Sequence, residues 1–136
     1  MTNILFLCTG NSARSILAEV MVNQVMTRPG IQAFSAGSQP TGTVNPGAIK
    51  ELQSRGYSTQ ELASKSWDTF THKDGPAIDW VITLCDSAAN EVCPIFPGAC
   101  NKAHWGLPDP ATDAATFPDT FDAIAQKVAQ FYKDLS

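Results

Sequence analysis

Short apolar runs alternate along this chain with segments of helical periodicity, and this order of elements strongly constrains the fold. Residues 4–7 and 80–84 are almost continuous apolar runs, which are typical of strands buried on both faces of a parallel sheet. Shorter segments at 33–34 and 103–105 predict two further strands. Strands that alternate with helices favour an α/β fold, in which helices cover both faces of an open, mostly parallel sheet.

Three segments have the periodicity of amphipathic helices. The first begins near Ser15, and its apolar stripe stops before Pro29–Gly30. The second begins at Asn45–Pro46, because asparagine is a favoured N-cap and proline suits the first helical position, and it ends near Gly56. In the third, residues 117–135, apolar residues recur every three or four positions. Ligands of such sheets bind beyond the carboxyl ends of the strands, so we expect the functional residues in the loops there.

The length and charge of the chain limit the classes of function. Its 136 residues predict a single domain, residues 1–136. The net charge of -4, with the basic residues scattered, argues against a nucleic-acid partner. The sequence has no basic leader before an apolar N-terminal core, and no apolar stretch approaches the roughly 18 residues of a membrane helix. We therefore expect a cytoplasmic protein without a membrane partner.

Four cysteines offer redox or nucleophilic chemistry: Cys8 stands alone, and Cys85, Cys93 and Cys100 cluster later in the chain. Because the cytosol keeps thiols reduced, chemistry is a better interpretation than a permanent disulfide framework. A zinc site made by the three later cysteines and His104 is the structural alternative. Their separations of eight, seven and four residues do not match the usual close ligand pairs, so we expect no metal site.

A cysteine and an arginine six positions apart enclose a loop of small residues. Cys8 follows the first predicted strand, and Arg14 directly precedes the first predicted helix. Such a loop can curl so that its backbone N–H groups converge on an anion, which the helix N-terminus and the arginine also favour. The same field lowers the pKa of the Cys8 thiol and makes it a nucleophile. The predicted oxyanion-binding residues are Thr9, Gly10, Asn11, Ser12, Ala13, Arg14 and Ser15. A buried cysteine beside a surface arginine is the structural alternative.

Two motifs carry a resemblance to a known family: C-T-G-N-S-A-R-S at residues 8–15 and H-W-G-L-P-D-P-A at residues 104–111. They resemble the motifs of the low-molecular-weight tyrosine phosphatase superfamily and, within it, those of the arsenate reductases. The resemblance extends over nearly the whole chain. It implies a four-stranded parallel fold, with Cys8 as nucleophile, Arg14 as oxyanion clamp and Asp109 as general acid.

Additional thiols distinguish the two branches of that superfamily. A phosphatase needs one cysteine and a water molecule, whereas reducing arsenate to arsenite moves two electrons, which two thiols supply by forming a disulfide. By resemblance to the thioredoxin-linked reductases, Cys85 would attack the Cys8–arsenic adduct and release arsenite. Cys93 would then attack Cys85 and form a disulfide for a redox partner. Cys100 stays open as the alternative to Cys93.

A second difference also favours the reductase. After Asp109–Pro110 the phosphatases typically present aromatic residues that line a phosphotyrosine pocket, whereas this chain has Ala111–Thr112. We therefore predict a monomeric arsenate reductase that has no tightly bound cofactor. Its substrate would be arsenate, with phosphate and sulfate as competing anions, and its reductant would be thioredoxin or glutaredoxin with glutathione. A protein tyrosine phosphatase and a non-catalytic oxyanion-binding or redox-sensing protein stay open as alternatives.

Some members of the superfamily bind potassium beside the oxyanion loop. In this chain, Lys65 stands in the corresponding region, between Ser64 and Ser66. We hypothesise that the Lys65 ammonium group takes the place of the cation and helps to hold Asn11 and Ser35.

Overall fold

The computed structural model describes residues 2–11, 13–70, 77–84, 101–105 and 117–135. Within these residues a four-stranded sheet has the order β2-β1-β3-β4, with all neighbouring strands parallel. This confirms the predicted α/β fold with an open parallel sheet. The strands are β1 (Thr2–Leu7), β2 (Ile31–Ala36), β3 (Trp80–Thr83) and β4 (Asn101–His104).

The position of β1 explains why functional residues should follow it. The chain leaves β1 toward β2 on one side, and β3 lies on the other side, so strand order reverses next to the carboxyl end of β1. In open parallel sheets such a reversal leaves a crevice between the diverging connections. Leu7 at the end of β1 pairs with Ala36 of β2 and with Thr83 of β3. The residue after Leu7 therefore lies at the crevice.

The three predicted helices are present, and the first differs in its last turns. The helices are α1 (Arg14–Val20), α2 (Pro46–Ser54) and α3 (Phe117–Leu135), with a short 3-10 helix at Trp67–Phe70. After α1 the chain continues as a π-helix, Met21–Val25, which sequence periodicity did not predict. This widened turn brings the Asn23 side chain to the free edge of β2. There its amide accepts from Ala33 N (2.9 Å) and donates to Ala33 O (2.9 Å), as a further strand would.

Side chains of β1 alternate between two apolar clusters, which explains the unbroken apolar run. Ile4 and Phe6 belong to the larger cluster, together with buried residues of α1, α2 and α3. Leu5 and Leu7 belong to the smaller cluster, which also contains Phe70 of the 3-10 helix. Both faces of β1 are thus covered, and its four last residues are at most 1% exposed. No helix in the described part of the chain is long and apolar enough to cross a membrane.

Candidate active site

Cys8 lies at the crevice that the fold creates. It follows Leu7 directly, and its backbone N–H donates to Ala36 O at 3.3 Å, which extends the pairing of β1 with β2 by one residue. The residue is buried, with 6% of its surface exposed. The position of the thiol-bearing residue is therefore set by the sheet rather than by a mobile loop.

In the loop after Cys8, the carbonyl groups of Thr9 and Gly10 point toward the segment that follows β2 and away from the space that the loop encloses. Thr9 O accepts from Gln39 N at 3.0 Å, and Gly10 O accepts from Thr41 N at 3.1 Å. The C=O and N–H of a trans peptide point in opposite directions, so the Gly10 N–H points away from Gln39. We call residues 8–15 the cradle. An anion cradle requires this orientation, because a carbonyl oxygen directed inward would repel the ligand.

Asn11 fixes the curl of the cradle. Its φ angle of 45° lies in the left-handed region, which asparagine tolerates better than most residues. Its side chain is fully buried: Nδ2 donates to Ser15 Oγ at 2.8 Å, and Oδ1 accepts from Lys65 N at 2.8 Å. Its backbone N–H donates to Cys8 O at 3.2 Å. Both ends of the cradle and one remote segment are thus tied to this residue.

Gly37 allows the segment after β2 to pack against the back of the cradle. A Cβ atom at this position would lie 2.5 Å from Thr9 O and 2.6 Å from Cys8 O, closer than real Cβ contacts. Gly37 N also donates to Lys65 O (2.9 Å), and Gly37 O accepts from Trp67 N (2.9 Å). The glycine is required here for close approach of two backbones, and it had no signal of that role in the sequence.

Arg14 begins α1, one residue before the predicted start near Ser15, and it is half-buried. Ala13, at the N-cap, is buried and has no polar side chain that could accept from the first N–H groups of the helix. The first N–H groups of α1 carry a partial positive charge at this end of the cradle, and Arg14 stands at the same end of the helix, which favours an anion there.

A half-buried carboxylate behind the cradle was not recognised in the sequence. Glu19 lies one turn after Ser15 on α1, and its Oε1 accepts from Ser35 Oγ at 2.7 Å. The Lys65 Nζ lies 3.9 Å from the same oxygen. Burial raises the pKa of Glu19, while the Ser35 hydrogen bond and the Lys65 charge oppose that rise. Only its helical spacing from Ser15 could have indicated this residue.

Several predicted residues lie outside the described residues: Ser12, Cys85, Cys93, Cys100 and Asp109. Of the alternative zinc ligands, His104 is described. It is exposed at the end of β4, and its Nδ1 lies 2.7 Å from Thr83 Oγ1. Within the described residues no group of three or more His, Cys, Asp or Glu side chains could hold a metal ion.

The described geometry suits attack by a thiol on a tetrahedral anion. The site combines a buried cysteine at the end of a strand with an arginine at the start of a helix. Between them, the carbonyl groups of Thr9 and Gly10 point away from the site, and Asn11 has a left-handed backbone conformation. The sequence predicted Cys8, Arg14 and the loop between them, and the structure brings these together. It adds Glu19, one turn further along α1, and two residues from distant parts of the chain: Gly37, and Ser64, whose hydroxyl donates to Gly10 O at 3.1 Å.

The chain is similar to known arsenate reductases over nearly its whole length. Arsenate reductase 2 of Staphylococcus saprophyticus is 37% identical over 130 residues, which cover 95% of each chain. The crystal structure of arsenate reductase from Archaeoglobus fulgidus has a TM-score of 0.75 and 26% identity, covering 94% of this chain and 97% of that chain. A thioredoxin-dependent arsenate reductase of Corynebacterium glutamicum has the same fold, with a TM-score of 0.74 at 21% identity, covering 98% of this chain and 61% of that chain. The model of the low molecular weight phosphotyrosine protein phosphatase family matches residues 3–136, and the chain belongs to this family.

Proposed function

We propose that this protein reduces arsenate to arsenite. The observation that carries the proposal is the 37% identity to an arsenate reductase over 95% of both chains. The geometry of the cradle supports it, because a thiol, an arginine and backbone donors surround a site for a tetrahedral oxyanion. The four cysteines of the chain can supply the two electrons that the reduction requires.

The first step is a nucleophilic substitution at arsenic. The Cys8 thiolate attacks arsenate, which the cradle N–H groups and Arg14 hold, and a sulfur–arsenic bond forms. One arsenate oxygen leaves as water after Asp109 gives it a proton. The arsenic is still As(V) at this stage. In this step the assignment of Cys8 and Arg14 is supported by their place in the fold, and that of Asp109 by its sequence motif alone.

The reduction occurs when a second thiol attacks the adduct. The Cys85 thiolate attacks the Cys8 sulfur, a Cys8–Cys85 disulfide forms, and the electrons of the sulfur–arsenic bond stay with arsenic, which leaves as arsenite. Cys93 then attacks the Cys85 sulfur, which frees the Cys8 thiolate and leaves a Cys85–Cys93 disulfide. Cys100 is the alternative final thiol.

An external thiol must reduce that disulfide before the next turnover. A thioredoxin-type protein is our first choice, and glutaredoxin with glutathione is the second. A cytoplasmic location belongs to the same proposal, because the cytosol keeps such donors reduced. Phosphate and sulfate would compete with arsenate for the cradle, since both are tetrahedral oxyanions.

We also propose that Lys65 serves as an internal cation behind the cradle. Its ammonium group lies 3.9 Å from Glu19 Oε1, and its backbone N–H donates to Asn11. A positive charge at this place partly compensates the half-buried carboxylate, which also holds Ser35. The protein should therefore need no added potassium.

Phosphatase activity is the second candidate function, since the matched family is that of the phosphotyrosine phosphatases. Cys8, Arg14 and Asp109 could hydrolyse a phosphate ester through a phosphocysteine and a water molecule. Ala111–Thr112, in place of aromatic residues, make an aryl phosphate the weaker substrate. A non-catalytic oxyanion-binding or redox-sensing protein would bind arsenate without releasing arsenite.

A single-turnover reaction tests the main proposal. Fully reduced protein is mixed with arsenate without external thiol, arsenite is quantified, and disulfides are mapped by mass spectrometry. We expect one arsenite per chain and a Cys85–Cys93 disulfide. The Cys93→Ser variant should stop at Cys8–Cys85, and Cys100→Ser is the matched control that should react as the wild type does. Intact hydrolysis of an aryl phosphate with no disulfide would favour the phosphatase.

A further inference from the structure

Ser64 connects three separate segments at the back of the cradle. Its hydroxyl donates to Gly10 O at 3.1 Å and accepts from Gly42 N at 3.2 Å. Ser64 and Gly10 are 54 positions apart in the sequence, and Gly42 belongs to the segment that follows β2. One side chain thus joins the cradle to two parts of the chain that do not themselves belong to it.

The carbonyl that Ser64 holds belongs to the cradle itself, so its direction affects whether an anion can bind there. Rotation of the Gly10–Asn11 peptide would turn Gly10 O toward the ligand and remove Asn11 N from Cys8 O, to which it now donates at 3.2 Å. Glycine offers little resistance to such a rotation, because it has no Cβ atom. Two donors oppose it, namely Thr41 N and the Ser64 hydroxyl. Of these two, only the hydroxyl belongs to a side chain.

We propose that Ser64 is a positioning residue for the oxyanion site: by holding Gly10 O outward, it keeps the cradle in its anion-binding conformation. This inference rests on the proposed function only in that the cradle binds a tetrahedral oxyanion. Ser64 does not touch the reacting atoms. Its loss should therefore weaken binding of the anion and raise KM, with a smaller effect on kcat.

The test measures binding of inorganic phosphate to the reduced full-length protein by titration calorimetry, which requires no turnover. One hydrogen bond of this kind corresponds to a change of about twofold to tenfold in affinity. We expect Ser64→Ala to weaken phosphate binding by about that factor. Ser66→Ala is the matched control on the same segment, because Ser66 Oγ accepts from Asp68 N and has no hydrogen bond to the described residues of the cradle.

A second pair of variants isolates the hydroxyl group if Ser64→Ala folds poorly. Ser64→Thr and Ser64→Val have nearly the same shape, and only threonine can donate to Gly10 O. We expect Ser64→Thr to bind phosphate as the wild type does and Ser64→Val to bind it as weakly as Ser64→Ala. Equal affinities for the threonine and valine variants, or an equal loss in Ser66→Ala, would overturn the positioning role.

The outcomes also separate this inference from the proposed reaction. Serine-dependent phosphate binding without arsenite production would leave the positioning role standing and refute the reductase. If the protein produced arsenite and Ser64→Val left its phosphate affinity unchanged, the reductase would stand and the positioning role would be refuted. If the wild-type protein bound neither phosphate nor arsenate, both proposals would be wrong.

Discussion

Replacement of Gly37 by alanine should damage the cradle through its backbone. The added Cβ atom would lie 2.5 Å from Thr9 O, 2.6 Å from Cys8 O and 3.0 Å from Asn11 N. All three neighbours are backbone atoms, so no flexible side chain can move aside. Insertion of a methyl group into such a site costs about 1–3 kcal/mol. Alanine also restricts the unfolded chain more than glycine does, and this raises the free energy of unfolding by about 0.4–1 kcal/mol, which partly offsets that cost.

We therefore expect Gly37→Ala to lower the free energy of unfolding by up to about 2.6 kcal/mol, with a central value of about 1.3 kcal/mol. The same clash must displace Thr9 and Cys8, whose peptide groups form the cradle. Misplacement of binding groups by a fraction of an ångström to one ångström has large effects on function, so phosphate affinity should fall by about tenfold or more.

Urea unfolding and phosphate titration together check this prediction, with Gly56→Ala as the matched control. Gly56 has a φ of +85° and no atoms within 4 Å of its Cβ position, so alanine there is strained without a clash. That strain costs about 1–2 kcal/mol. Both variants should lose similar stability, and only Gly37→Ala should lose phosphate affinity. Equal phosphate affinities in the two variants would refute the reasoning from close approach.

Three further predictions concern the residues behind the cradle. Burial raises the pKa of Glu19 above its ordinary value of 4.5, so the native state retains this proton to a higher pH than the unfolded state does. The protonated carboxyl group therefore stabilises the native state at low pH, and this contribution to the free energy of unfolding is lost as pH rises through the native pKa. In urea unfolding at several pH values, the wild type should thus lose stability relative to Glu19→Gln above pH 4.5, and a constant difference would contradict this. Asn11→Ala should cost about 2–4 kcal/mol in the same assay, because it leaves Lys65 N without its acceptor and strains a left-handed residue. Lys65→Met should make phosphate binding depend on potassium, whereas strong stimulation of the wild type by potassium would disprove the internal cation.

The parts of the site that are local in sequence could be predicted, because local patterns determine them. Cys8 and Arg14 were identified from a strand, a loop and a helix that follow one another directly. The Asn45 cap of α2 was also predicted, and its side chain accepts from Gly47 N at 2.8 Å. In each case the interaction that determines the structure lies within a few residues of the sequence pattern that predicts it.

The remote supports could not be predicted, because their roles depend on contacts between distant segments. Gly37 and Ser64 are an ordinary glycine and serine until the fold brings them against the cradle. The predicted limits of β4 were also shifted for a physical reason. The predicted strand began at the apolar residue Ala103, whereas the observed one begins at Asn101, whose N–H donates to Asp79 O at 2.9 Å. An edge strand exposes its polar side chains, so apolar periodicity underestimates its length.

The supports of the cradle have a consequence for the proposed redox relay. Cys8 is held by Ala36 through its backbone N–H and by Asn11 through its carbonyl, and Gly37 packs directly behind it. A residue held at both its N–H and its carbonyl cannot move far without disrupting the cradle, which we propose binds the substrate. Under the proposed mechanism, the Cys85 thiol must therefore approach Cys8. It follows that the Cys8–Cys85 disulfide should form without loss of the hydrogen bonds that hold Asn11.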